Sequence, residues 1–129
     1  IHSRYTQSPY ENVKGKEVEF IPSLNIKTGT QLVYKRLKAS IQYSYLSSQF
    51  TDAQNSTDAD PTATVAILPA YSVTDISIAY RVKKWLHFEG SVNNVTNKIY
   101  ATRRASGYPG PGLLTSDGRG FFLTAAVKL

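Results

Sequence analysis

Arg119-Gly120-Phe121-Phe122-Leu123-Thr124-Ala125-Ala126-Val127-Lys128-Leu129 closes the chain and decides how the rest is read. At period two, Phe121, Leu123, Ala125, Val127 and Leu129 share one face, while Gly120, Phe122, Thr124, Ala126 and Lys128 share the other. That alternation predicts a β-strand, apolar on one side and small or polar on the other. The apolar face persists to the final residue, whereas soluble chains commonly trail off in a few polar, loosely held ones. An intact terminal strand suits a membrane-spanning barrel whose last strand closes the wall. Taken alone, it suits the end of a soluble sheet equally well, so the remaining chain has to separate the two.

Working back from the terminus, the same alternation recurs, and no segment keeps helical periodicity over three turns. Leu86, Phe88, Gly90 and Val92 alternate with His87, Glu89, Ser91 and Asn93; Ile76, Ile78, Tyr80 and Val82 alternate with Asp75, Ser77, Ala79 and Arg81. Leu37, Ala39, Ile41, Tyr43 and Tyr45 oppose Lys38, Ser40, Gln42 and Ser44. Leu24, Ile26, Thr28, Thr30, Leu32 and Tyr34 oppose Asn25, Lys27, Gly29, Gln31 and Val33. His2 to Thr6 reads as the end of a further strand. Lys35-Arg36 and Lys83-Lys84 are short turns, and residues 7–22, 51–69 and 96–118 are long polar connections rich in Gly, Pro, Asp, Asn or Ser.

The connections therefore alternate, a two-residue turn and then a loop of nearly twenty residues. Loops of that length are uncommon in compact soluble domains. Short turns on one rim and long loops on the other are a membrane-barrel pattern, and such strands are long enough to cross a bilayer when tilted. The polar faces carry Asn25, Lys27, Gln31, Gln42, Asp75, Arg81 and Glu89, which suits a wet interior. Arg81 and Glu89 are expected to pair there as ions. Trp85 and Tyr34 beside the short turns, and Tyr45 and Tyr71 at the loop ends, are expected to form interfacial girdles. Alternation by itself leaves open a soluble sandwich with one buried face.

Composition excludes several functions. The chain has 129 residues and no Cys, so it holds no disulfide, thiolate metal site or cysteine nucleophile. No apolar run is long enough for a transmembrane helix, which says nothing against a barrel. The net charge of +6 comes from singly scattered or paired Lys and Arg without a nucleic-acid-binding motif, so no nucleic-acid partner is expected. His2 and His87 lack partners at metal-ligand spacing, and Asp52, Asp58 and Asp60 do not match a calcium loop. No nucleophile elbow, Walker loop or paired carboxylates appear, so the chain reads as a non-enzyme without cofactors. Ile1 to Tyr5 has neither the basic start nor the apolar core of a signal peptide, and no initiator Met opens the chain. It is expected to begin after processing, or to be cut from something longer.

Three stretches together resemble the C-terminal end of TonB-dependent outer-membrane receptors. Val92-Asn93-Asn94-Val95-Thr96-Asn97-Lys98-Ile99-Tyr100 is similar to a family box near the end of the penultimate strand, with Asn93, Asn94 and Tyr100 as its marks. Tyr100 to Gly112 resembles the last external loop of receptors of the ferric citrate type. Gly118 to Leu123, leading to an apolar end, resembles the closing strand, with Phe121, Leu123, Val127 and Leu129 as its assembly face. Gln49-Phe50-Thr51-Asp52-Ala53 is similar to a strand-to-loop exit of such barrels. Thr96-Asn97 and Leu129 depart from the family, where an apolar residue followed by Asp, and a terminal Phe, are commoner. The Asn pair still offers side-chain hydrogen bonds where the strand leaves the sheet.

The resemblance implies an all-β, antiparallel up-and-down meander over residues 1–129: the last five to six strands of a roughly 22-stranded transmembrane β-barrel. Short turns would be periplasmic and long loops extracellular. The plug domain, most of the barrel and the contact with the TonB complex would lie outside this chain. It further implies TonB-dependent uptake of a ferric siderophore or ferric citrate across the outer membrane of a Gram-negative bacterium, with membrane lipid as a partner. Single-chain barrels need at least about eight strands, so two open edges would remain and the isolated piece is expected to self-associate. Arg103, Arg104 and Tyr108 are the candidate ligand contacts, because an Arg fork matches the carboxylates of an anionic chelate. The alternative, from another functional class, is a soluble all-β module that binds glycan or protein through its long loops.

Overall fold

The computed structural model describes residues 3–6, 11–107 and 110–128. His2, Tyr108 and Leu129 lie outside the described residues. Every long alternating run becomes a strand: β1 (Asn25–Tyr34), β2 (Leu37–Leu46), β3 (Tyr71–Lys83) and β4 (Leu86–Asn93). Two short strands follow, β5 (Ala101–Ala105) and β6 (Gly112–Thr115), and β7 (Gly120–Val127) ends the series. The fold is an all-β antiparallel meander, with one 3-10 turn at Glu11–Val13. No helix is long and apolar enough to cross a membrane.

The five long strands form one sheet in the order β1-β2-β3-β4-β7, leaving β1 and β7 as its edges. β4 pairs with β7 from Leu86↔Val127 to Asn93↔Gly120, and β3 with β4 from Ile76↔Val92 to Lys83↔Leu86. This register sets Ile78, Gly90 and Leu123 abreast on one face, and Ser77, Ser91 and Phe122 abreast on the other. The predicted faces are therefore shared across the sheet. Two details differ from expectation. The second short turn is Lys84-Trp85, one residue later than predicted, because a bulge between Arg81 and Lys83 absorbs an extra residue at Val82. Arg81 stands opposite His87, and Glu89 opposite Ala79, so no Arg81–Glu89 ion pair forms.

The apolar face is uncovered. Ile41, Ile78 and Val127 are exposed, and Leu123 keeps 82% of its surface. Buried hydrophobic side chains among the described residues are Val13, Ala66 and Leu68, none of which belongs to the sheet. A soluble sandwich places its inward-facing strand residues in a dry interior; here the sheet has none.

The chain divides into two units. The sheet unit comprises Ile26–Ser44, Ser72–Lys98 and Asp117–Leu129; the loop unit comprises Ile1–Asn25, Tyr45–Tyr71 and Ile99–Ser116. The partial strand expected at residues 2–6 is only an isolated bridge, Arg4↔Glu17, within the loop unit. The connection expected at 96–118 contains an unpredicted hairpin, β5 pairing with β6 from Ala101↔Thr115 to Ala105↔Gly112. Its sequence, Ala-Thr-Arg-Arg-Ala against Gly-Leu-Leu-Thr, is too short and too weakly alternating to announce two strands.

The exposure pattern makes a measurable distinction between the two faces. With the protein refolded into lipid vesicles and unfolded by denaturant, Leu123→Arg is expected to cost about 2–4 kcal/mol, as for charge on a lipid-facing mid-strand site. Ser91→Arg, on the opposite face, is expected to stay within about 1 kcal/mol. Equal costs for the two would contradict the assignment of faces.

Candidate functional site

The loop unit is held together by polar side chains acting on backbone groups, as a body of long connections must be when it has little apolar area. Asn55, at φ 55°, accepts from the Glu17 N–H at 2.7 Å and donates to the Glu17 carbonyl at 2.8 Å. That pair ties the first long connection to the second. Phe20 N–H to the Phe50 carbonyl, at 2.8 Å, is a second tie. The second connection then folds back on itself. Gln49 and Leu68 exchange backbone hydrogen bonds, and the buried Thr51 hydroxyl donates to the Ala66 carbonyl at 2.8 Å while accepting the Ala66 N–H at 3.0 Å.

The apolar patch at residues 65–68 has its explanation here. Ala66 and Leu68 form the small core under which the loop closes. Asp52 caps one turn through the Ser56 N–H and hydroxyl, and Asp60 caps another through the Thr64 and Val65 N–H groups. The Thr62 hydroxyl, then the Val65 N–H, hold the Asp60 carboxyl well below the usual carboxylate range, with Thr64 adding to the effect. A depressed folded pKa means that this cap is fully present above the unfolded value of about 4. It is lost only as the pH falls through the lower folded value.

The hairpin β5–β6 carries the predicted ligand-contact arginines. Successive strand residues point to opposite sides, so Arg103 and Arg104 cannot act as one fork. Arg104 is half-buried, with Nη1 donating to the Ala63 carbonyl at 2.8 Å and Nη2 to the Ile67 carbonyl at 3.3 Å. Its Nε is buried without a hydrogen-bond partner. The guanidinium thus fastens the hairpin to the 51–70 connection, and sequence alone gave no sign that Ala63 and Ile67 would receive it. Arg103, opposite Leu114, is exposed, and no hydrogen bond or ion pair among the described residues holds its side chain. It is the arginine of the pair that remains open to an anion. Tyr108 lies outside the described residues.

Tyr100 sets the base of the hairpin. Its ring stacks on Tyr71 with centroids 3.9 Å apart and planes 16° from parallel. Its backbone exchanges with Ser116, the carbonyl accepting the Ser116 N–H at 2.8 Å and the N–H donating to Ser116 Oγ at 3.2 Å. Tyr71, expected to serve an interfacial girdle, has Tyr100 as its ring partner.

In the sheet unit, the asparagine box forms the corner after β4. Asn94 is 5% exposed and takes the left-handed conformation, φ 52°, that Asn tolerates and β-branched residues do not. Its Oδ1 accepts the Lys98 N–H at 3.0 Å and its Nδ2 donates to the Lys98 carbonyl at 2.8 Å. Asp75 Oδ1 accepts the Asn94 N–H at 2.7 Å. The expected partner in the pair, Asn93, is exposed and stands in the ladder opposite Gly120. The second corner asparagine is Asn97, one of the residues that departed from the family pattern. Also left-handed, at φ 52°, it accepts the Arg119 N–H at 2.9 Å and so leads into β7. Gly118 makes room for it, since a Cβ there would meet Asn97 Oδ1 at 2.9 Å.

No family model matches the sequence, and no curated protein matches it. Solved structures do match. The unliganded ferric citrate transporter FecA superposes with a TM-score of 0.81 at 18% identity, over 90% of this chain and 18% of its own. The ferric-catecholate import receptor Fiu of E. coli K12, in its closed form, gives 0.70 at 22% identity, over 88% of this chain and 15% of its own. The siderophore receptor PiuA of Acinetobacter baumannii gives 0.70 at 20% identity, over 88% and 14%. This chain therefore spans less than a fifth of the length of each. What is shared is the fold, an antiparallel meander matching part of a β-barrel.

Three substitutions probe the corner and the clasp. Asn94→Ala is expected to lose about 1–3 kcal/mol and to speed amide exchange at Lys98, while Asn93→Ala stays within about 0.5 kcal/mol. Arg104→Ala is expected to raise amide exchange at Ala66 and Leu68 by about tenfold or more without unfolding the sheet, because a local opening loses its clasp. Unchanged exchange at those two amides would show that the clasp holds nothing.

Proposed function

We propose that this chain is the C-terminal part of the barrel domain of a TonB-dependent outer-membrane receptor that takes up a ferric chelate, a siderophore or ferric citrate. The observation that carries this reading is the five-stranded sheet with an exposed apolar face and an open edge on each side. Lipid covers such a face, and further strands of the same barrel cover such edges. The short turns Lys35-Arg36 and Lys84-Trp85 fall at one end of the sheet and the long connections enter and leave at the other, as the periplasmic and extracellular rims of a barrel do. The fold shared with FecA, Fiu and PiuA supports the reading.

On this reading the protein sits in the outer membrane of a Gram-negative bacterium and is a transporter rather than an enzyme. A plug and the segment that meets the TonB complex belong to parts of the receptor outside this chain. In isolation, β1 and β7 are rows of unpaired backbone groups, and copies of the piece self-associate through them. The soluble binding-module alternative asks the sheet to bury one face, and the exposure of Leu123 and Val127 runs against it.

Within the loops, Arg103 is the side chain we assign to the ligand, with Tyr108 further along the same connection. A free guanidinium donates two parallel bonds to a carboxylate of an anionic chelate, at charge-assisted strength. Arg104 supports that role by holding the hairpin and touches no ligand. In the intact receptor, Arg103→Ala is expected to weaken binding of the ferric chelate by about one to two orders of magnitude, measured by equilibrium titration. Unchanged affinity would remove Arg103 from the site.

A further inference from the structure

The short-turn rim of the sheet concentrates positive charge in a way the uptake function does not use. Arg36 Nη1 donates to the Val82 carbonyl at 2.9 Å, and the Arg81 N–H donates to the Arg36 carbonyl at 2.9 Å. These bonds lay the Lys35-Arg36 turn against the end of β3 and so bring Lys35, Arg36, Lys83 and Lys84 to one rim. Two of the ammonium groups stand over aromatic rings. Lys35 Nζ lies 5.2 Å from the centre of Tyr34, and Lys83 Nζ lies 5.3 Å from that of Trp85. The bulge at Val82 matters here: it pairs Lys83 with Leu86 and so moves Lys83 to the apolar face.

Among the described residues, no acidic side chain is placed at this rim. Of the chain's nine acidic residues, Glu11, Glu17, Glu19, Asp52, Asp58 and Asp60 lie in the long connections. Asp75 and Asp117 lie near the loop ends of strands, and Glu89 is on the polar face. Beneath the charges is a cavity of about 360 Å³ lined by Tyr34, Lys35, Arg36, Leu37 and Tyr80. On the same face, further along β1, β2 and β3, runs a groove of about 220 Å³. Ala39 is its small residue, with Leu32, Ile41, Ile76 and Ile78 around it, and almost none of its lining is polar.

We propose that this rim binds an anionic glycerophospholipid of the leaflet facing the short turns, its phosphate among Lys35, Arg36 and Lys83 and an acyl chain along the Ala39 groove. Cations next to aromatic rings at the end of an apolar face are matched to a phosphate lying over hydrocarbon. The groove distinguishes a lipid from a free phosphate, which has no part that would enter it. The site also differs from the candidate chelate contact in element and in chemistry. It rests on the barrel reading, and the experiment keeps the two apart.

The full-length protein is reconstituted into phosphatidylcholine vesicles with and without a minority of phosphatidylglycerol, and the lipid retained after detergent extraction is identified by native mass spectrometry. The wild type is expected to retain phosphatidylglycerol selectively. Lys35→Gln with Lys83→Gln, neither side chain holding a hydrogen bond in the fold, is expected to lower that retention by at least about fivefold. Ala39→Leu, which fills the groove and leaves every charge in place, is expected to lower it as well. Soluble glycerophosphate is expected not to displace the lipid. Equal retention by the wild type and the double variant overturns the proposal, as does displacement by glycerophosphate or by an acidic peptide. Flotation with pure phosphatidylcholine vesicles reads the barrel assignment separately. A protein that floats but shows no lipid preference keeps its barrel and loses this site, and one that never floats loses both.

Discussion

The five-stranded sheet leaves its apolar side chains exposed, with nothing among the described residues to cover them, and the rest of the structure follows from that. Ile41, Ile78, Leu123 and Val127 are exposed although they sit in well-formed strands. Ile78 and Leu123 share Gly90 as their cross-strand neighbour, which is too small to shield them. Burial therefore cannot be what holds this sheet, and backbone hydrogen bonding has to do more. In hydrocarbon that is the expected balance, since an unpaired amide there has no water to turn to and costs several kcal/mol. The same demand makes the edges β1 and β7 positions where more strands belong.

The loop unit solves the opposite problem. Its connections are long and polar, and it buries only Val13, Ala66 and Leu68 among the described residues, so apolar area contributes little. Order comes from side chains that satisfy backbone groups: Asn55 on Glu17, Thr51 on Ala66, Asp52 and Asp60 on their own turns, Arg104 on Ala63 and Ile67. Such a body is specific yet modest in stability, because each bond replaces one that water would have made. Arg104 is committed to the Ala63 and Ile67 carbonyls, while Arg103 beside it is exposed.

The corner after β4 shows how one residue type does two jobs. Asn94 and Asn97 both adopt φ 52°, and each then uses its amide to close the next stretch of backbone. Asn94 binds Lys98 and Asn97 receives the Arg119 N–H, so the chain is directed at both ends of the excursion that carries the hairpin. Asp75 joins from β3 by accepting the Asn94 N–H. The family-like box is in this respect a device for leaving the sheet and returning to it.

The sequence by itself determined the strands, their faces and the contrast between short turns and long connections. Period-two alternation is local, and a one-residue error would move every side chain to the other face. Resemblance to a family box also marked Asn94 and Tyr100, within one short stretch of sequence. The hairpin at residues 101–115, the one-residue shift of the second turn caused by the Val82 bulge, and the engagement of Arg104 with Ala63 and Ile67 came from tertiary contacts alone. The tertiary structure also brought Asn97 to the corner beside Asn94 and gave Tyr71 a ring partner in Tyr100. Each of these depends on a backbone group or side chain distant in sequence, such as Ala63 for Arg104 or Arg119 for Asn97. A pattern of alternation carries no record of which carbonyl a guanidinium will reach.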